Sequence, residues 1–164
     1  MEEILIISKS LFLKCTTGYF YSKKMEQSGY YIDLKDRFEI WVKKAKSFPE
    51  GVLEAHQYFH GLISRSENRK YYGKSKGNSN GGTDYWAGIS IENGDNFKEL
   101  EKETILEGRY YCKNLTGYMK NPSIIGEAFQ EMLKHPELDH ATGYCLEDYV
   151  SDEEVICMVK LRTN

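Results

Sequence analysis

Among the residues of this chain, Glu147 is the one most clearly placed to do chemistry. It lies in Tyr144-Cys-Leu-Glu-Asp-Tyr-Val150. Strand alternation puts Cys145, Glu147 and Tyr149 on one face of this stretch, and Tyr144, Leu146 and Val150 on the other, core-like face. A carboxylate flanked on its own face by a thiol and a phenol is partly desolvated, which raises its pKa and leaves it short of a cation or a proton donor. The same pattern also fits a solvent-facing strand glutamate beside Asp148. Aromatic residues are plentiful around it, with 13 tyrosines and 2 tryptophans in 164 residues, most of them in or beside expected strands. Sheet propensity accounts for part of that excess. The remainder is enough to line a cleft, where ring faces attract cations.

Other spacings carry less chemistry. Gly73-Lys-Ser looks like the tail of a phosphate-binding loop, but the pattern requires a glycine where Asn68 stands, and a hydrophobic strand before it that is missing. His56 and His60 are four apart. Their segment reads as a strand, where His56, Tyr58 and His60 share a half-exposed face, and no third ligand is evident, so no metal site is assigned. Cys15, Cys112, Cys145 and Cys157 include no C-x-x-C pair and fall within expected strands, as small buried hydrophobes of a reducing compartment do.

The elements that must position Glu147 follow from periodicity. Ile4 to Ile7 and Leu11 to Cys15 read as strands. Asp33 then opens a helix in which Leu34, Phe38, Trp41, Val42 and Ala45 recur on one face, with Lys43, Lys44 and Lys46 near its C-terminal end and Pro49-Glu-Gly51 closing it. His56 to Ser64 and Tyr85 to Glu92 read as strands. Between them, Gly73 to Gly82 is a polar, glycine-rich stretch expected to form a long, mobile and dispensable hairpin loop. Arg109 to Tyr118 is a strand. A second helix is capped by Asn121 with Pro122 in its first turn, presents Ile125, Phe129, Met132 and Leu133, and stops before His135-Pro136. Tyr144 to Val150 and Val155 to Leu161 complete the sheet. Thr17-Gly-Tyr19 and Thr116-Gly-Tyr118 each precede an amphipathic helix, which points to a duplicated strand-helix-strand-strand unit, one copy in about residues 1–92 and one in about 103–164.

With 40% hydrophobic residues, the chain suffices for one domain, expected to span 1–164. Net charge is −3, unevenly spread: residues 1–82 carry 14 Lys+Arg against 9 Asp+Glu, and residues 83–164 carry 8 against 16. An acidic second half suits a cationic ligand better than a phosphate backbone, and no direct nucleic-acid binding is expected. The acidic N-terminus and the lack of any run of ~18 apolar residues argue for a cytoplasmic protein with no membrane partner. In that compartment the Asn114-Leu-Thr116 sequon is idle.

The stretch Leu106–Leu161, with its Gly-Tyr turn before an amphipathic helix and its Glu147-x-Tyr149 strand ahead of a closing apolar strand, resembles the GyrI-like effector-binding family. That family includes drug-binding domains of bacterial AraC-type and MerR-type regulators and the DNA gyrase inhibitory protein. The first half is similar through its Gly-Tyr turn, its expected Trp41 helix and Tyr85-Trp-Ala-Gly-Ile. Where the family has His-x-Gly-Pro-Tyr, this chain reads Asn114-Leu-Thr-Gly-Tyr118. The resemblance implies an α+β fold with an antiparallel sheet, two helices and a pseudo-two-fold axis, with a central groove between the repeats. It further implies that Glu147 receives lipophilic cations there, ringed by Tyr149, Tyr85, Trp86, Tyr19, Tyr118 and Tyr110, without a cofactor or metal. The role implied is drug sensing or transcription regulation with a protein partner. Two alternatives stay open: hydrolysis of strained, cyclopropane-bearing electrophiles with Glu147 as the catalytic carboxylate, and inhibition of DNA gyrase by protein binding.

Overall fold

Phe38, Ile40 and Val42 alternate with Glu39, Trp41 and Lys43, and this period of two, in a run rich in β-branched and aromatic residues, decides the start of the fold. In the computed structural model, which describes residues 29–63 and 68–163, the segment is strand β2 (Phe38–Lys44). The helix expected from Asp33 to Ala45 does not form. Tyr30–Leu34 is strand β1, and β2 is hydrogen-bonded on both sides. Ile40 and Val42 enter one core while Trp41 turns to the other face, packs on Phe97 and donates its indole N–H to Asp95 at 3.1 Å. The i, i+4, i+7 apolar spacing that suggested a helix is incidental to the alternation.

The converse correction follows at once. His56 to Ser64, expected as a strand, is mostly helix α1 (Val52–Leu62), whose Ala55 and Phe59, with Ile63 just beyond, are buried at the 3.6-residue period. Burying Phe59 alone contributes about 2–3 kcal/mol. Strands β3 (Tyr71–Gly77) and β4 (Thr83–Ser90) come next, so the stretch from Gly73 is not a long loop. Only Asn78 to Gly82 turns, closed by the Asn78 side-chain oxygen, which accepts from the N–H groups of Asn80 and Gly82. The composition misleads because β3 is paired along both edges and buries Tyr72 and Lys74. Strands β5 (Glu101–Ile105) and β6 (Gly108–Thr116), helix α2 (Ser123–Met132), and strands β7 (Tyr144–Tyr149) and β8 (Glu154–Lys160) complete the chain. Pro122 rather than Asn121 holds the cap position of α2, and the Ser123 hydroxyl donates to Asn121.

The eight strands form one antiparallel sheet in the order β1-β6-β8-β7-β3-β4-β2-β5, curled into a half-barrel with two helices, an α+β fold. Exchanging β1–β4 with β5–β8 returns the same order. The repeated plan is therefore strand-strand-helix-strand-strand, one strand longer than the unit expected, and the first strand of each half pairs in the other half, β1 on β6 and β5 on β2. The central pair β3–β7 is the seam. Three cores result. One, built on Ile40, Val42, Ile105, Tyr110, Cys112 and Leu146, fills the inside of the curl; the other two lie under α1 and under α2. Cys112, Cys145 and Cys157 are buried free thiols. No described helix is long and apolar enough to cross a membrane. The strands expected in residues 1–19, and the Gly18-Tyr19 turn, lie outside the described residues.

Candidate functional site

On the helix-bearing face, the seam between the two helices is occupied by Glu147. Strand β7 alternates as expected, with Tyr144 and Leu146 in the inner core and Cys145 under α2, although Val150, just past the strand, is exposed. Glu147 is 5% exposed and pairs in register with Gly73 on one side and Cys157 on the other. Gly73 is required there: a Cβ at that position would collide with both the Tyr85 hydroxyl and a carboxylate oxygen of Glu147.

Two phenols hold the carboxylate. The Tyr85 hydroxyl, on β4, donates to Oε2 of Glu147 at 2.7 Å, and that of Tyr149 donates to the same oxygen at 2.5 Å. Since the one hydroxyl proton of Tyr85 goes to Glu147, the 2.9 Å contact from Nε2 of His56 makes the histidine the donor to Tyr85, which fixes its tautomer. Rings close the site. Tyr118 packs on Tyr149 at 5.4 Å and donates its hydroxyl to the Ser151 carbonyl at 3.0 Å; Phe48 stacks on Tyr85 at 5.9 Å; His56 meets Tyr149 edge-on at 5.1 Å.

Electrostatics follow from burial. Glu147 forms no ion pair and its Oε1 accepts no hydrogen bond among the described residues. Desolvation pushes its pKa up, and the Tyr149 and Tyr85 hydrogen bonds oppose the shift without cancelling it. Two charge-assisted bonds return about 1.5–3 kcal/mol each, against a desolvation penalty of several kcal/mol per buried ion. Burial, then the Glu147 charge, holds both Tyr85 and Tyr149 well above the usual phenol range. Tyr118 is pushed up to about 12 by burial, then by Asp152, Glu153 and Glu147. His56 is lowered to about 4 by burial, then by His60. The cluster thus sets a neutral imidazole and protonated phenols around one buried, under-compensated carboxyl group, arranged to attract a cation or to pass a proton.

Of the residues predicted from sequence, the fold brings Glu147, Tyr149, Tyr85 and Tyr118 together. Trp86 and Tyr110 lie on the opposite face of the sheet. Trp86 follows Tyr85 in the strand and so points away from it, with Lys44 5.3 Å from its ring. Tyr110 is fully buried in the inner core, its hydroxyl donating to the Leu106 carbonyl and 2.8 Å from that of Tyr144. Tyr19 lies outside the described residues. Sequence reasoning missed His56, Gly73 and Phe48. Gly73 was hidden by the loop-like composition of Tyr71–Gly77, and recognising α1 was the precondition for His56. The two histidines diverge, His60 stacking on Tyr71. Among the described residues, no three His, Cys, Asp or Glu side chains are grouped to hold a metal.

No protein-family profile matches the chain, and no curated protein matches it in sequence. Solved structures do share its fold. An integron cassette protein from the mobile metagenome of Vibrio cholerae is similar with a TM-score of 0.61 and 18% identity, over 83% of this chain and 97% of that one. A hydrolase from Listeria innocua is similar at 0.54 and 12%, over 83% and 92%. SAV2435, solved bound to tetraphenylphosphonium, is similar at 0.54 and 8%, over 84% and 94%. At these identities the likeness establishes the fold.

Proposed function

We propose that this chain is a small-molecule binding domain of the GyrI-like kind, and that its seam accepts a lipophilic, aromatic cation with Glu147 as counter-ion. The observation that carries this reading is the carboxylate itself, buried among rings, held by two phenols and lacking a cationic partner among the described residues. A soft cation supplies the missing charge without demanding directional contacts, and ring faces add about 0.5–2 kcal/mol each when desolvated. The tetraphenylphosphonium bound by SAV2435, which shares the fold, is a ligand of this class. Both described helices pack on the sheet, so neither is free to serve as a DNA-recognition helix, and a role in transcription regulation or drug sensing is read as one exerted with a protein partner.

Calorimetric titration with tetraphenylphosphonium and with neutral triphenylphosphine oxide tests the reading. Glu147→Gln should weaken the cation by about 1–3 kcal/mol and leave the neutral compound nearly unaffected. Equal losses for both would mean that the groove was merely disturbed.

The His56–Tyr85–Glu147 hydrogen-bond chain favours a second reading, hydrolysis, with Glu147 as base and Tyr85 as acid. Turnover of a strained, cyclopropane-bearing electrophile that vanishes in Glu147→Gln, with no cation bound, would replace the first reading by this one.

A further inference from the structure

We propose that Phe48 is a displaceable cover: its ring occupies the seat on Tyr85 that an aromatic arm of the ligand takes, so ligands reach Glu147 from the α1 side of the groove. This rests on the reading of the seam as a cation-binding site and names the side and the ring through which that site fills.

The argument starts from the two connections that lead from strand to helix. Each sends one aromatic ring over the seam, Phe48 from the segment between β2 and α1, and Tyr118 from the segment between β6 and α2. Their fastenings differ. Tyr118 is 9% exposed, packs on Tyr149 and is tied by its hydroxyl to Ser151. Phe48 is 45% exposed, sits within a run of five exposed residues from Lys46 to Glu50, and has no polar atom to tie down. Its ring contact is the near-parallel stack on Tyr85, with 24° between the planes. Lifting Tyr118 breaks a hydrogen bond and uncovers buried surface, whereas lifting Phe48, already half in water, breaks one stack.

What lies under Phe48 matters as much. Tyr85 is 2% exposed and its hydroxyl is bound to Glu147. An aryl ring that replaces Phe48 recovers the same stack, so the exchange is nearly neutral in ring contact, and it carries the attached positive centre to the carboxylate, whose Oε1 accepts no hydrogen bond among the described residues. The site therefore selects cations bonded directly to an aromatic ring over purely aliphatic ones.

The test is stopped-flow and equilibrium binding of tetraphenylphosphonium to the full chain and to Phe48→Ala, Phe48→Trp, Gly126→Ala and Glu147→Gln. Removing the competing ring in Phe48→Ala should speed association and tighten binding about 3- to 10-fold, the size of one aromatic contact. Phe48→Trp, a larger cover, should move both quantities the other way, and Gly126→Ala, on the open face of α2 where an added Cβ meets nothing, should leave the association rate unchanged. Tetrabutylammonium should gain less than tetraphenylphosphonium from Phe48→Ala. If binding is lost in Glu147→Gln yet unchanged or weakened in Phe48→Ala, Phe48 is no cover and this inference alone falls. If neither the wild type nor Phe48→Ala binds tetraphenylphosphonium, the cation-site reading falls and takes the inference with it.

Discussion

The two halves of the sheet repeat one order of strands and supply the seam with opposite things. From the second half come the carboxylate, Glu147, its close donor Tyr149, and the anchored ring Tyr118. From the first come an absence of side chain at Gly73, the phenol of Tyr85, the imidazole of His56, and the loosely held ring of Phe48. The pairing Gly73↔Glu147 makes the contrast concrete, because one strand vacates the volume that the other fills with a charge. The repeated strand order supplies a symmetric frame, and departure from that repeat at the seam sets a carboxyl group among phenols and an imidazole.

The largest expected effect of a single substitution concerns the frame of the first half. Arg69 and Asp95 form a buried ion pair at 2.6 Å, and Asp95 also accepts from Trp41 and from the Glu92 N–H, tying the β4–β5 connection to β2. Asp95→Ala removes the carboxylate of a buried ion pair together with the acceptor of the Trp41 and Glu92 N–H groups, and should cost about 3–5 kcal/mol in chemical denaturation. The Arg69 hydrogen bonds hold the Asp95 pKa at about 2. A depressed acid pKa contributes stability above the unfolded value of about 3.9, lost as pH falls through about 2. A loss below 1 kcal/mol would show that the connection is not held this way.

Next comes the seam. Gly73→Ala should destabilise by about 1–3 kcal/mol through overpacking against Tyr85 and Glu147, while Gly126→Ala on the open face of α2, where a Cβ meets nothing, should be neutral or stabilising. Equal effects at the two glycines would remove the steric argument for the Gly73↔Glu147 pairing. Deleting Gly73 to Gly82, harmless if that stretch were a loop, removes most of the central strand and should abolish folding.

The smallest effect is on the charge. Glu147 has a raised native pKa, so the native state holds its proton more tightly than the unfolded chain. Its contribution to stability is fully present below about 4.3, the unfolded glutamate value, and is lost as pH rises through the native value. Glu147→Gln should therefore equal or exceed the wild type in stability at pH 7 to 8, where His56, lowered to about 4, is not titrating. A clear loss of stability in that range would mean that the phenols fully compensate the carboxylate.

The second half was far more legible in the sequence than the first. From Arg109 onward, alternation, the Pro122 helix start and the His135-Pro136 stop each agree with the fold, so local and tertiary preferences coincide. In the first half they conflict. Phe38 to Ala45 satisfies helical and strand periods at once, and only pairing with β4 and β5 decides between them. Tyr71 to Gly77 has the composition of a loop and becomes a central strand because both its edges are covered. Once α1 had been read as a strand, His56 could not be placed beside Tyr85. Glu147 and Tyr149 were readable because alternation puts both on one face; Tyr85, Tyr118, Trp86 and Tyr110 reached the same list through aromatic type and the resemblance, without that test, and only the first two lie beside Glu147.

The measurement that bears most directly on the central claim is the pH dependence of tetraphenylphosphonium affinity between pH 5 and 8, in the wild type and in Glu147→Gln. A cation pairs with the ionised carboxylate, so wild-type affinity should rise with pH until Glu147 is fully deprotonated and then level off. The variant should bind more weakly and with a flat profile. Wild-type affinity independent of pH and equal to that of Glu147→Gln would contradict the claim that Glu147 is the counter-ion of the seam.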